Sequence, residues 1–136
     1  MKLRHVALVY SSEENADRFL CGVLGLQKSE PKLLPAELNR AIFGRDGELR
    51  IINYSNPALC FEVFIAVRQP EEMCPFEHVL LEVENLADFL ERCRRMRASI
   101  RTIPRGASVL IFVNDEDNNL FEIKEAKPVA CEENKE

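Results

Sequence analysis

The sequence predicts an α+β fold of two βαβββ modules, joined as one curved, half-open mixed sheet with the helices on its convex side. Three observations carry that expectation. The chain opens twice with nearly the same stretch, HVALVYSSEENADRFL at 5–20 and HVLLEVENLADFL at 78–90. Each copy later closes on a short apolar run holding one glutamate, CFEVFIA around Glu62 and LFEIKEA around Glu122. Between opening and closing, each half reads as a strand, a helix and three strands. Half of a 136-residue chain has too little core to be stable alone, so the halves must share one.

The elements follow in order. Residues 2–10 alternate as a strand, with Leu3, His5, Ala7 and Val9 on one face and Arg4, Val6, Leu8 and Tyr10 on the other. Ser11 or Ser12 can cap a helix whose first turn carries Glu13 and Glu14, acids that the helix dipole favours there. Ala16, Phe19, Leu20, Val23 and Leu24 form its apolar stripe, and Gly25 ends it. A strand is expected at 26–33. Pro35 opens a short helix, PAELNRAIFG, closed by Gly44. Asp46-Gly47 turns into a strand at 48–54, and Asn56-Pro57 turns back into one at 59–67, which makes a hairpin.

Residues 69–76, QPEEMCPF, hold two prolines and little periodicity and read as a linker between a first module at 1–68 and a second at 77–126. The second module offers a strand at 77–84 and a helix at 86–98 with Leu86, Phe89, Leu90 and Cys93 inside. Strands follow at 99–103, 108–113 and 119–125, the last two joined by a turn at Asp117-Asn118-Asn119. The charged tail, 127–136, has no pattern and is expected to be flexible.

Composition narrows the function. The net charge of −5 gives no basic field for nucleic acid or for an anionic membrane. Arg92, Arg94, Arg95 and Arg97 cluster on a helix interrupted by Glu91, which reads as a solvated surface. Neither a secretory signal nor a bilayer-spanning stretch is evident. Five cysteines, an odd number without a CxxC pair, suit free thiols in a reducing cytoplasm.

The protein has only two histidines, His5 and His78, and they open the two copies at matching places. Strand alternation puts Glu62 with Cys60, Phe64 and Ala66, opposite Phe61, Val63, Ile65 and Val67. It puts His78 with Leu80 and Glu82, and Glu122 with Leu120 and Lys124. A carboxylate among apolar neighbours is costly unless it is paired, protonated or bound to a cation. Two His–Glu pairs from two half-domains would make a four-ligand site for one divalent ion. His and Glu suit Zn²⁺, Ni²⁺, Co²⁺, Mn²⁺ or Fe²⁺. The separations, His5 to Glu62 and His78 to Glu122, are too long for any short metal motif; the repetition is what makes the signal specific.

The stretches HVALVY and LGL at 24–26, then HVLLEV, then FVNDEDNNLFEI at 112–123, resemble the vicinal oxygen chelate superfamily. That superfamily includes glyoxalase I, methylmalonyl-CoA epimerase, fosfomycin- and bleomycin-resistance proteins and extradiol dioxygenases. The resemblance covers residues 1 to about 126. It implies paired βαβββ modules with His5, Glu62, His78 and Glu122 as metal ligands, the His, Glu, His, Glu set of bacterial glyoxalase I. Val9 and Ala66 stand where that enzyme has an arginine for glutathione and an asparagine, so the likeness does not extend to the glutathione site.

The function implied is a metal-dependent lyase or isomerase that binds adjacent oxygens of a small substrate and stabilises an enolate-type intermediate. Glu62 and Glu122 are the candidate catalytic bases, with Glu82 a weaker one. Two rivals stand beside it. One is an Fe(II) extradiol-type dioxygenase using His5, His78 and Glu122; the other is a metal-free binding protein like those for bleomycin resistance. A homodimer is expected. The metal site then lies either within one chain or across the dimer, with His5 and Glu62 from one subunit and His78 and Glu122 from the other.

Overall fold

A computed structural model describes residues 1–128. The tail beyond that, including Cys131, lies outside the described residues. The first module runs β1 (Val6–Tyr10), α1 (Glu13–Ala16), β2 (Gln27–Lys28), β3 (Lys32–Leu34), α2 (Ala36–Phe43), β4 (Leu49–Ser55) and β5 (Cys60–Ile65). The second runs β6 (Val79–Val83), α3 (Leu86–Arg95), β7 (Ser99–Arg105), β8 (Ser108–Asn114) and β9 (Leu120–Glu125). The α+β class and the two-module plan are those read from the sequence.

The two modules are hydrogen-bonded alike. One sheet has the order β1-β5-β4-β2, with β3 also on β4; the other has the order β6-β9-β8-β7. In each, the opening strand lies parallel to the closing strand. Within the chain the ladders form two sheets, one per module. One core joins them. Leu8, Tyr10, Phe61 and Val63 of the first sheet and Leu81, Val113, Phe121 and Ile123 of the second belong to a single buried cluster. Phe19 supplies the link: its ring centroid is 4.8 Å from that of Phe121, which is 6.2 Å from that of Phe61. Phe89 and Cys93 of α3 complete the cluster. Burying a Phe or Leu here contributes roughly 1.5–3 kcal/mol each.

Local chemistry explains the element ends. Ser12 caps α1, its hydroxyl accepting from the Asn15 N–H. The helix then widens over Asp17–Cys21 into a π turn, in which the Gly22 and Leu24 amides bond the Asp17 and Phe19 carbonyls, five residues back. Gly25 follows with φ 70°, the left-handed conformation that Gly adopts without strain. The strand expected at 26–33 is split into β2 and β3, with Pro31, which has no N–H for a ladder, between them. The opening strand starts at Val6 and not near residue 2, because in the parallel register Lys2–Arg4 would face residues 57–59, which form the turn between β4 and β5. Likewise α3 stops at Arg95, short of 98, where Arg97 turns left-handed at φ 58°.

The β8–β9 turn clamps the modules together. The Asn119 side-chain amide donates to the Val9 carbonyl at 3.1 Å and to Asp115 at 3.0 Å, and its carbonyl accepts from Arg68 at 3.1 Å. Asp115 also accepts the Asn119 and Asp117 backbone amides. Burial pushes its carboxyl above the ordinary carboxylate range, against the pull of those donors. Asp117 in turn accepts the Ser11 amide and the Asn15 side chain.

Candidate metal centre

His5 and His78 sit immediately before β1 and β6, and each lies beside the glutamate of its own module. His5 Nε2 is 3.6 Å from Glu62 Oε2, and His78 Nε2 is 3.6 Å from Glu122 Oε2. The register explains the match. In the parallel ladders Ala7 faces Glu62 and Leu80 faces Glu122. In both modules the glutamate is therefore level with the residue two beyond the histidine, on the same sheet face.

A distance of 3.6 Å is too long for a direct hydrogen bond. It suits two donors sharing one ion, since ligands about 2.1 Å from a tetrahedral metal stand about 3.4 Å apart. His78 is oriented for that role. Its Nδ1 is 2.8 Å from the Phe76 carbonyl, an acceptor only, so Nδ1 carries the proton and Nε2 presents its lone pair. The donor set of imidazole and carboxylate fits a divalent transition ion.

The four residues do not come together within the chain. Among the described residues no group of three or more His, Cys, Asp or Glu could hold a metal ion. Two clefts separate β1 from β6, of about 390 and 300 Å³, both lined by Val6 and Val79; His78 lines the first and His5 the second. Each pair is open to solvent, the imidazoles 47% and 40% exposed and the carboxylates 25% and 17%. Leu3 and Leu80, apolar neighbours on the same faces, are also exposed. These strands bury the opposite face, so the alternation read from the sequence holds while the histidine side faces outward. Glu82 is exposed and joins neither pair.

The surroundings of the two pairs differ. Opposite Glu122 across β8–β9 stands Phe112, its ring 6.1 Å from the His78 ring. Arg101, paired with Phe112 across β7–β8, places its guanidinium 5.9 Å from that ring centroid. Opposite Glu62 across β4–β5 stands Asn53, whose Oδ1 is buried without a partner. Arg101, Phe112 and Asn53 were not singled out by the sequence. Their place depends on which strands pair and in what register, and no local pattern shows that.

No family model and no curated protein matches the sequence. Solved structures match the fold along nearly its whole length. The fosfomycin resistance protein FosX from Listeria monocytogenes has a TM-score of 0.68 at 14% identity, covering 94% of this chain and 95% of that one. A glyoxalase family protein from Bacillus cereus has a TM-score of 0.69 at 16% identity, covering 92% and 93%. The chain has the vicinal oxygen chelate fold. Another Listeria monocytogenes FosX structure with that fold, of a glutamate-to-glutamine mutant, is complexed with Mn(II) and 1S,2S-dihydroxypropylphosphonic acid; its TM-score is 0.66 at 14% identity, with 90% of this chain and 87% of that one covered. A divalent metal and a small-molecule ligand thus occur among vicinal oxygen chelate proteins similar to this chain. No helix of the described residues is long and apolar enough to cross a membrane.

Proposed function

We propose that this protein is a metal-dependent lyase or isomerase of the glyoxalase type, acting as a homodimer. Each metal site would take His5 and Glu62 from one subunit and His78 and Glu122 of the partner subunit. The observation that carries this reading is the pair of matched half-sites, each with its donors 3.6 Å apart and each two ligands short of a site. Exposed Leu3 and Leu80 beside the histidines would be covered by the same contact. The four free thiols among the described residues fit a reducing compartment such as the cytoplasm.

When bound, the ion, one of Zn, Ni, Co, Mn or Fe, supplies Lewis acidity toward adjacent oxygens of a small substrate. The chain's own residues do the rest. The Phe76 carbonyl holds His78 in one tautomer. Glu62 and Glu122 would be the carboxylates that accept a proton from a carbon next to a carbonyl. Phe112 walls the second half-site and keeps water from one side of Glu122.

Mixing variants tests this. His5→Ala and His78→Ala proteins each lose both sites of their own homodimer. Allowed to exchange subunits, they regain one intact site per heterodimer, so about a quarter of the wild-type metal returns at random pairing. Elemental analysis of untagged protein reads it. No recovery, with exchange verified by a mass-tagged subunit, would reject the shared site. No metal in the wild-type protein would reject the metal chemistry.

A further inference from the structure

The first module carries a helix, α2, that the second lacks. α2 lies over the face of the sheet that holds Glu62, where Phe43 meets Phe64 edge to face with ring centroids 5.3 Å apart. Phe64 is thereby buried although it shares the open face of Glu62. Beneath the helix lies a cavity of about 370 Å³, within the range of small-molecule sites. Its walls are mainly apolar: Val9, Leu49, Phe43, Phe64, Ala66 and Val67. It also reaches Ala7, the residue level with Glu62. Its rim is charged. Arg45 is paired with Glu72 of the linker, and Arg68 bonds Asn119. Among the described residues no carboxylate is within ion-pair distance of Arg68, so the rim has an excess positive charge.

We infer that this cavity is the substrate's second subsite, taking an apolar, aryl-sized arm of a small carboxylic acid, with Arg68 facing its carboxylate. The inference deepens the reading of the Glu62 site given above. An apolar wall next to a chelating site selects by the size of the arm, because each buried methylene adds about 0.8 kcal/mol. The Arg68 guanidinium, with donors left beyond its bond to Asn119, favours the anionic form of the ligand by direct hydrogen bonds to its oxygens, while Arg45 is already neutralised by Glu72. A polar or unsubstituted ligand would leave Phe43 and Val67 facing water.

The test needs no metal, so it fails separately from the metal reading. Metal-free full-length protein is titrated with phenylacetate and, in parallel, with acetate, and backbone amide NMR shifts are followed. Phenylacetate should give saturable shifts at Val9, Phe64 and Ala66, and acetate should not. Ala66→Phe, which fills the cavity from just beyond the end of β5, should weaken phenylacetate binding at least about tenfold while keeping the dispersed spectrum of the folded chain. Phe43→Ala, which removes a half-exposed roof residue, should weaken it several-fold. Equal shifts with the two acids would overturn the inference. So would shifts spread over exposed Leu38 and Val109, or unchanged binding in both variants. Shifts at the cavity on dilution without ligand would also overturn it, since they would assign the groove to a second copy of the chain.

Discussion

Glu62 stands opposite Ala7 in the parallel β1–β5 ladder, two residues beyond His5, and Glu122 stands opposite Leu80, two beyond His78. One hydrogen-bond register thus sets the same donor pair twice. Side-chain rotation alone cannot exchange Glu62 for a neighbour, since Phe61 and Val63 point to the other face and are buried.

The first prediction concerns that pair. Glu62→Gln and Glu122→Gln keep size and packing but remove the anionic donor. Each should leave the circular dichroism spectrum unchanged and lower affinity for Mn²⁺ or Zn²⁺ at least about tenfold in a competition titration. Unchanged affinity in either variant would remove that glutamate from the ligand set.

Asn119 ties the last turn of the second module to the first strand of the first. Asn119→Ala should strand the Val9 carbonyl and weaken the Asp115 turn. The expected loss is about 1–3 kcal/mol of stability by urea unfolding, with metal affinity per folded chain little changed. A loss below about 0.5 kcal/mol would mean that the link is replaced by water.

Gly22 follows the π turn. A Cβ there would lie 2.3 Å from the Arg18 carbonyl and 2.8 Å from Met96 Cε of the second module. The methionine can move, but the carbonyl belongs to the helix. Gly22→Ala should therefore destabilise the protein by roughly 1–3 kcal/mol, read as a lower Tm, although its φ of −72° suits any residue. Equal stability would show that the helix re-forms with α spacing.

The cysteines should differ in reactivity. Burial pushes the Cys93 thiol up to about 11, with Arg92 and Arg94 pulling weakly the other way. Iodoacetamide at pH 8 should modify exposed Cys74 in the native protein and leave Cys93 intact, by peptide mass mapping. The folded state keeps its proton where the unfolded thiol, near 9.0, loses it. Stability from this group is present below about pH 9 and declines as pH rises toward 11. Cys93→Ala should flatten that decline.

Much of the fold was legible because the repeat fixes two strand–helix–strand units and alternation fixes their faces. His5 with Glu62 and His78 with Glu122 could be paired from the sequence because each occupies the same step of a repeated pattern. What lay beyond reach was contact between elements distant in sequence. That Phe19 would meet Phe121, so that helices and inner sheet faces share one core while the histidines look outward, depends on three-dimensional packing. The π turn was hidden because its apolar stripe serves either helical spacing. The α2 helix was visible, closed by Gly44 at φ 69°. Its seat over Phe64 was not, since Phe43 and Phe64 belong to different elements 21 positions apart.

That helix breaks the likeness of the halves. Two identical modules around one ion would offer a ligand two equivalent poses, related by a half-turn. Phe43 hangs over the face of Glu62, while Phe112 and Arg101 flank Glu122. The two poses then differ in energy. A molecule built on a twofold plan would thereby hold an unsymmetrical ligand in one orientation and not in two.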